Sequence, residues 1–438
     1  MKARKAFVWV LGITIAGAVA VIGLTSLSDA TVGGNREFSR PVTPELIARG
    51  AYLAQMGDCA ACHSVSGKPE FAGGLKMAIP IGAIYTSNIT PDKEYGIGSY
   101  SLADFDRALR FGVAGGHTLY PAMPFPSYAN SRPEDVDALY AYFMHGVAAA
   151  AVPNRPNDIA FPLSLRFPLT LWRWAFAPTP KPFPPAAAQD PVAVHGAYFV
   201  EGLGHCGDCH TPRAQTLQVE AQTSTDGPAF LAGAAVEHWF APSLRNGGPG
   251  TIGDWSEAEI AQFLKTGTNR HGIAFGSMVD VIEHSTQFLS DADAAAAAHY
   301  LKTITGSDPA AGFAYDEKTH RALMTGDASR RGAQLYLDNC AACHRPDGRG
   351  YDGVFPALAD NPVVEAQDPV SLVHIILRGM KTPRTAATPA QFAMPAFDWR
   401  LSDQDLADLV TFIRTSWGNR GFPIDRRAAA LTRRETTN

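Results

Sequence analysis

All six cysteines of this chain fall in three C-x-x-C-H segments: CAACH at 59–63, CGDCH at 206–210 and CAACH at 340–344. Each ends a longer repeat, IARGAYLAQMGDCAACH (47–63), VAVHGAYFVEGLGHCGDCH (192–210) and SRRGAQLYLDNCAACH (329–344), with a shared glycine and an apolar or aromatic cluster upstream. On a helical turn the two cysteines, three residues apart, lie on one side with the histidine beside them. Two thiols so placed add across the vinyl groups of a porphyrin, and the adjacent imidazole reaches its iron. A disulfide between residues of one turn would be strained, a zinc site needs further ligands, and a thioredoxin-like site needs neither the histidine nor a repeat. The pattern therefore implies three covalent haems c, on Cys59 and Cys62, Cys206 and Cys209, Cys340 and Cys343, with His63, His210 and His344 as iron ligands.

The stretch GLGHCGDCH (202–210) also satisfies G-x-G-x-x-G through Gly202, Gly204 and Gly207. AYFVE before it could be a strand, and Glu220 follows Gly202 by 18 residues, near where a ribose-binding acid falls in a dinucleotide fold. The repeats argue against that reading. Of this stretch, what recurs in the other copies is cysteine and histidine; the glycine fingerprint is confined to the second copy, and Pro212 sits where the required helix would have to continue.

Each repeat closes on a methionine followed by an acid-rich helix start. Met123 in YPAMPFP and Met394 in FAMPAF precede proline; Met278 in AFGSMVDV does not, but it stands 68 residues after His210, against 60 and 50 for the other two pairs. A methionine sulfur completes a closed iron site suited to electron transfer, whereas an open iron would do chemistry. Met123, Met278 and Met394 are therefore the expected sixth ligands, with His117 and His271 as alternatives and Met77, Met144, Met324 and Met380 as core filler. Ser131, Ser290 and Ser402 read as N-caps of the closing helices. Pro356, 12 residues after His344, offers a carbonyl to that imidazole. FAGG (71–74) and FLAG (230–233) stand there instead in the first two units and leave this contact unassigned. Arg110, Lys265 and Arg378 suit either haem propionates or helix C-termini.

These features describe an all-α chain of three tandem class I-type cytochrome c domains, each a small helical bundle around one haem, at 42–150, 189–305 and 327–420. A Pro- and aromatic-rich linker (151–188), a second linker (306–326) and a basic polar tail (421–438) complete it. Residues 1–30 form an export signal or N-terminal anchor. Lys2, Arg4 and Lys5 precede an uncharged run from Ala6 to Leu24, and Ser28-Asp29-Ala30 resembles a cleavage site. The run is 19 residues, close to the ~20 that span a bilayer, so it also fits an uncleaved anchor. FPLSLRFPLTLWRWAFAPTPKPFPP (161–185), with Trp172, Trp174, Arg166 and Arg173, reads as a domain seam or as a segment on a membrane or partner. A net charge of −5 offers no basic field for nucleic acid.

MGDCAACHS, GAIYTSNITPDKEYGIGSYS, TLYPAMPFPSYA, ALYAYFMHGV, YFVEGLGHCGDCHTPR, AFGSMVDVIEHS, LDNCAACHRPDGRGY and MPAFDWRLSDQD resemble the three-haem cytochrome c subunit of membrane-bound periplasmic dehydrogenases. That group includes the gluconate 2-dehydrogenase, quinone-linked alcohol dehydrogenase, and sorbitol and fructose dehydrogenase types. The resemblance implies an electron-transfer chain without its own substrate-oxidising site. It also implies a catalytic partner subunit bearing FAD or PQQ, a small third subunit in some complexes, and delivery of electrons to membrane ubiquinone on the periplasmic side of the inner membrane. The contrasting expectations are a self-sufficient haem enzyme of peroxidase or nitrite reductase type with one open iron, and a scaffold with structural metal.

Overall fold

The computed structural model describes residues 2–181, 183, 190–306 and 312–436; the linker positions 184–188 and 307–311 lie outside them. The chain divides into two compact units, one of Met1–Ala54 with Cys59–Phe183 and one of Gln55–Asp58 with Pro184–Asn438. In the first, helices run α1 (Lys2–Thr31), α2 (Pro44–Met56), α3 (Cys59–His63), α4 (Leu102–Phe111), α5 (Phe125–Tyr128), α6 (Pro133–His145) and α7 (Phe167–Phe176). The second holds α8 (Pro191–Tyr198), α9 (Gly207–His210), α10 (Glu257–Thr266), α11 (Ser277–His284), α12 (Asp291–Thr303), α13 (Glu317–Met324), α14 (Arg331–Asn339), α15 (Ala341–His344), α16 (Pro362–Glu365), α17 (Val370–Arg378), α18 (Asp403–Arg414) and α19 (Arg426–Glu435). Strands are short: among the described residues none exceeds four residues, and most form two-stranded antiparallel ladders. The fold is thus predominantly helical, in line with the all-α expectation, with short hairpins between the helices.

The glycine shared by the three sequence repeats marks a helix crossing that occurs three times. A Cβ on Gly50 would collide with the Ala138 carbonyl of α6, one on Gly196 with Ala296 of α12, and one on Gly332 with Asp408 of α18. In each case the next neighbour is an aromatic Cβ one turn further along, from Tyr142, Tyr300 or Phe412. Glycine in a helix costs ~0.5–1 kcal/mol relative to alanine, so its presence here reflects backbones that touch. The third of these crossings is framed by a core of Tyr336, Phe412 and Trp417, all 3% exposed or less. The Trp417 indole donates to Pro346 O at 2.9 Å, which satisfies its one polar atom.

Helix starts follow local chemistry. Ser101 with Asp104, Ser256 with Glu259 and Ser402 with Asp405 form reciprocal capping boxes, and Ser290 accepts from the Asp293 N–H. Ser131 does not cap α6: the N-cap is Arg132, because Pro133 suits the first helical position, and Ser131 is instead fully buried. At the start of α10, burial pushes the Glu259 carboxyl up, but bonds from Ser256 and Arg270 outweigh it and hold the pKa at about 2. A depressed carboxylate stabilises the folded state fully above its unfolded value and loses that contribution as pH falls toward the folded one. Stability should therefore drop between about pH 4.5 and 2 in part through this residue, and Glu259→Gln should flatten that limb of a stability-versus-pH curve.

Three stretches expected as linkers or tail carry structure. Within 151–188, α7 packs on α1 and on the strand His117–Thr118. Within 306–326, Phe313, Tyr315 and Leu323 join the core around Tyr336. In 421–438, α19 docks on α17 and α18 through fully buried Ala429, and Arg433 donates to the carbonyls of Asp398 and Leu401. These contacts are long-range, so composition alone did not reveal them. Among the described residues, no helix is long and apolar enough to cross a membrane.

Candidate haem sites

The three C-x-x-C-H segments each close one helical turn, α3, α9 and α15, and the surrounding backbone treats them alike. The carbonyl of His63 accepts from Gly73 N–H at 2.7 Å, that of His210 from Gly233 at 2.8 Å, and that of His344 from Gly350 at 3.2 Å. Each imidazole then uses Nδ1 to donate to a main-chain carbonyl: His63 to Ser87 O at 2.7 Å, His210 to Pro242 O at 2.7 Å, and His344 to Pro356 O at 2.9 Å. A carbonyl can only accept, so the proton sits on Nδ1 and the Nε2 lone pair is left for a metal. Burial holds all three imidazoles below their ordinary pKa, against the opposing effect of these bonds, and so favours the neutral, ligating form.

Pro356 is the acceptor expected from sequence; Ser87 and Pro242 were not legible. Between His63 and Ser87 lies the hairpin Lys76–Ile79/Gly82–Tyr85, and between His210 and Pro242 the hairpin Ala234–Val236/Trp239–Ala241. Glycines of FAGG and FLAG serve the histidine carbonyl instead, while Phe71 and Leu231 in the same segments pair with Ile89 and Leu244 just beyond the acceptors.

The cysteines are free thiols with no disulfide among them. Burial, reinforced by the neighbouring thiol, pushes Cys206 and Cys340 up to about 12, and burial with the Asp208 charge pushes Cys209 to about 11. The residues present thus fit a covalent haem: paired thiols on one turn, and an imidazole oriented by its backside bond.

The methionines sit after hairpins of common construction. Helix α4 ends at Gly112 and α10 at Gly267, both left-handed, and the carbonyl of each accepts 2.7 Å away from Leu119 and Ala274 respectively. Met123 and Met278 each come four residues later, with N–H groups donating at 3.2 Å to Tyr120 O and Phe275 O. Met278 therefore occupies the backbone position of Met123 although it lacks the following proline. Met394 lies on the ladder Met380–Lys381/Ala393–Met394, against Gly379, where a Cβ would strike its carbonyl. All three methionines are half-buried. Of the methionines expected as filler, Met324 is 65% exposed at the end of α13 and fills no core.

The two alternative histidines differ from each other. His117 is exposed at its hairpin. His271 is buried, bonded through Nδ1 to Asp360 at 2.9 Å and stacked on Trp255. Arg110 is buried in a two-bond pair with Asp106, Lys265 pairs with Asp291, and Arg378 lies 3.3 Å from Asp398, so each cation has a carboxylate on its own unit. AYFVE belongs to α8 and the π-helical turn Phe199–Leu203 rather than a strand, because its apolar residues pack against α12, and the dinucleotide reading loses its strand. Among the described residues no group of three His, Cys, Asp or Glu converges as a metal site.

Within 161–185, Trp172 packs edge-on to Phe125 at 6.3 Å and the Arg166 guanidinium lies 4.3 Å over Tyr120. The segment braces the Met123 loop of its own unit.

Residues 329–417 match the family model for cytochrome c. The chain is 52% identical over 379 residues to the gluconate 2-dehydrogenase cytochrome c subunit of Pantoea cypripedii, covering 85% of this chain and 86% of that one. It is 49% identical over 379 residues to the alcohol dehydrogenase (quinone) cytochrome c subunit of Gluconacetobacter polyoxogenes, with 86% and 81% covered. Identity is 37% over 395 residues to the fructose dehydrogenase cytochrome subunit of Gluconobacter japonicus, with 85% and 79% covered. With a cytochrome c fold, thiol pairs and oriented imidazoles of this kind, the chain belongs to the family of dehydrogenase cytochrome c subunits and is an electron-transfer subunit.

Proposed function

We propose that the chain carries three covalent haems c in tandem domains at 42–150, 189–305 and 327–420, and relays electrons from a catalytic dehydrogenase subunit to membrane ubiquinone. Cys59 and Cys62, Cys206 and Cys209, and Cys340 and Cys343 hold the haems; His63 with Met123, His210 with Met278, and His344 with Met394 ligate the irons. The observation that carries this is the threefold Nδ1–carbonyl bond, which leaves three equivalent Nε2 atoms free beside three thiol pairs.

When bound, each haem supplies an iron that gains and loses one electron. The chain's own work is to orient the imidazoles, to offer a methionine sulfur as the second protein ligand each iron would take, and to exclude water, so that little rearrangement would accompany transfer. The partner is a subunit with FAD or PQQ that oxidises an alcohol, sugar or sugar acid, and the complex works on the periplasmic side of the inner membrane. The relatives named above, cytochrome subunits of gluconate 2-dehydrogenase, of a quinone-dependent alcohol dehydrogenase and of fructose dehydrogenase, support this direction of flow.

The test is haem stoichiometry joined to capture of the complex. Intact mass and alkaline pyridine spectra should give three haems per chain, falling to two when the cysteine pair of any one motif becomes alanine. Gentle solubilisation with affinity capture should bring down a dehydrogenase that reduces a short-chain ubiquinone. One or two haems in the unmodified chain, or a monomer that travels alone, would overturn the proposal; so would an iron that binds cyanide readily as purified.

A further inference from the structure

We infer that helix α17, in the third of the proposed tandem domains, positions both axial ligands of the second haem iron, through Ser371 on the imidazole side and His374 on the methionine side. The inference rests on the assignment of His210 and Met278 proposed above. Helix and ligands belong to the same compact unit, and Ser371 and His374, three residues apart, share one face of α17.

The imidazole side starts from the hairpin Ala234–Val236/Trp239–Ala241, which ends one residue before Pro242, the acceptor of the His210 Nδ1–H. Phe240, two residues before Pro242, has both of its main-chain polar groups tied to one side chain 131 residues further on. Its N–H donates to Ser371 Oγ at 2.7 Å, and the Ser371 hydroxyl donates to its carbonyl at 3.0 Å. A hydroxyl carries one proton and two lone pairs, so a single serine can close the free edge of a strand in this way. Ser371 is 1% exposed, which leaves water little access to either bond. The backbone from Phe240 to Pro242 is short, and proline locks φ, so a shift at Phe240 is passed on to the carbonyl that orients His210.

On the methionine side, the Trp239 indole lies flat on the His374 imidazole, with centroids 4.1 Å apart and planes 4° from parallel. His374 Nδ1–H donates to the His238 carbonyl at 3.3 Å and fixes that ring. The same indole meets Phe275 at 5.4 Å between centroids and occupies the space beside Gly276, where a Cβ would strike it at 2.8 Å. Gly276 has φ +54°, so close approach and backbone conformation both demand glycine there. The carbonyl of Phe275 accepts the Met278 N–H. The turn that delivers Met278 is thus shaped on Trp239, and Trp239 is held by His374. The helix then ends at Gly379, where a Cβ would meet the Met394 carbonyl, so one rigid element borders ligands of two irons. The strength of the Nδ1 bond and the approach of the sulfur both tune a haem potential, and for the second haem both are set from the neighbouring domain.

Spectroelectrochemical titration of the full haem-loaded chain tests this, the wave of the second haem being the one absent when Cys206 and Cys209 are both alanine. Ser371→Ala slackens the imidazole bond, lowers ligand basicity and should raise the ratio of reduced to oxidised second haem at fixed potential at least threefold, about 28 mV for a one-electron couple. His374→Ala frees Trp239, loosens the sulfur and should lower that ratio at least threefold, whereas His374→Phe, which keeps a flat ring against the indole, should restore it. A second wave unmoved by either alanine variant, or a shift confined to another wave, overturns the inference. Fewer than three waves in the unmodified chain would overturn the haem assignment itself. Hydrogen exchange at the Phe240 amide should be at least tenfold faster in Ser371→Ala whatever the haem content, and unchanged exchange overturns the clamp.

Discussion

Replacing Met278 by leucine is expected to convert one iron of three from a closed to an open site. About one third of the methionine-to-iron charge-transfer absorbance should vanish, a high-spin signal of matching intensity should appear, and cyanide should bind at that iron alone. The physical reason is the backbone equivalence of Met278 with Met123: the same carbonyl from the helix-ending glycine and the same 3.2 Å bond at the methionine N–H place the two residues alike. Leucine keeps the volume but has no lone pair, so the fold should survive while the potential of that haem falls. Because a relay is limited by its slowest member, quinone reduction by the complex should fall at least tenfold, with substrate affinity of the partner unchanged. If the spectrum is unaltered, Met278 is filler and the iron has another ligand.

The second large effect concerns stability. Gly332→Ala should destabilise the packing of α14 on α18 by about 1–3 kcal/mol, although alanine is the better helix former, because the added methyl must displace the Asp408 carbonyl and the Phe412 side chain. In a cooperative domain of about 100 residues that corresponds to a drop of roughly 5–20 °C in the midpoint of thermal unfolding. Gly50→Ala and Gly196→Ala should act likewise on their own crossings, and differential scanning calorimetry on haem-loaded protein would separate the affected transition. An increase in midpoint at any of the three would show that the backbones do not meet there.

These two predictions differ in what they owe to the sequence. C-x-x-C-H is legible because attachment is local: one helical turn brings residues i, i+3 and i+4 together whatever surrounds them. The repeated glycine was visible as a repeat, but its reason was not, since the partner helix lies 76 to 100 residues away at Ala138, Ala296 and Asp408. The acceptor for His344 could be named because only 12 residues separate it from Pro356, whereas hairpins of unequal length hide Ser87 and Pro242 behind gaps of 24 and 32. Ser131 misled because a favourable cap residue was one position too early for a helix that proline starts.

Covalent chemistry and the number of repeats were thus determined by the sequence alone, through interactions that close within one turn. Tertiary structure alone decided which carbonyls orient His63 and His210, why glycine stands at each crossing, and that Asp29 belongs to the folded first unit. Those depend on pairs of groups far apart in the chain, and a burial that no local pattern records.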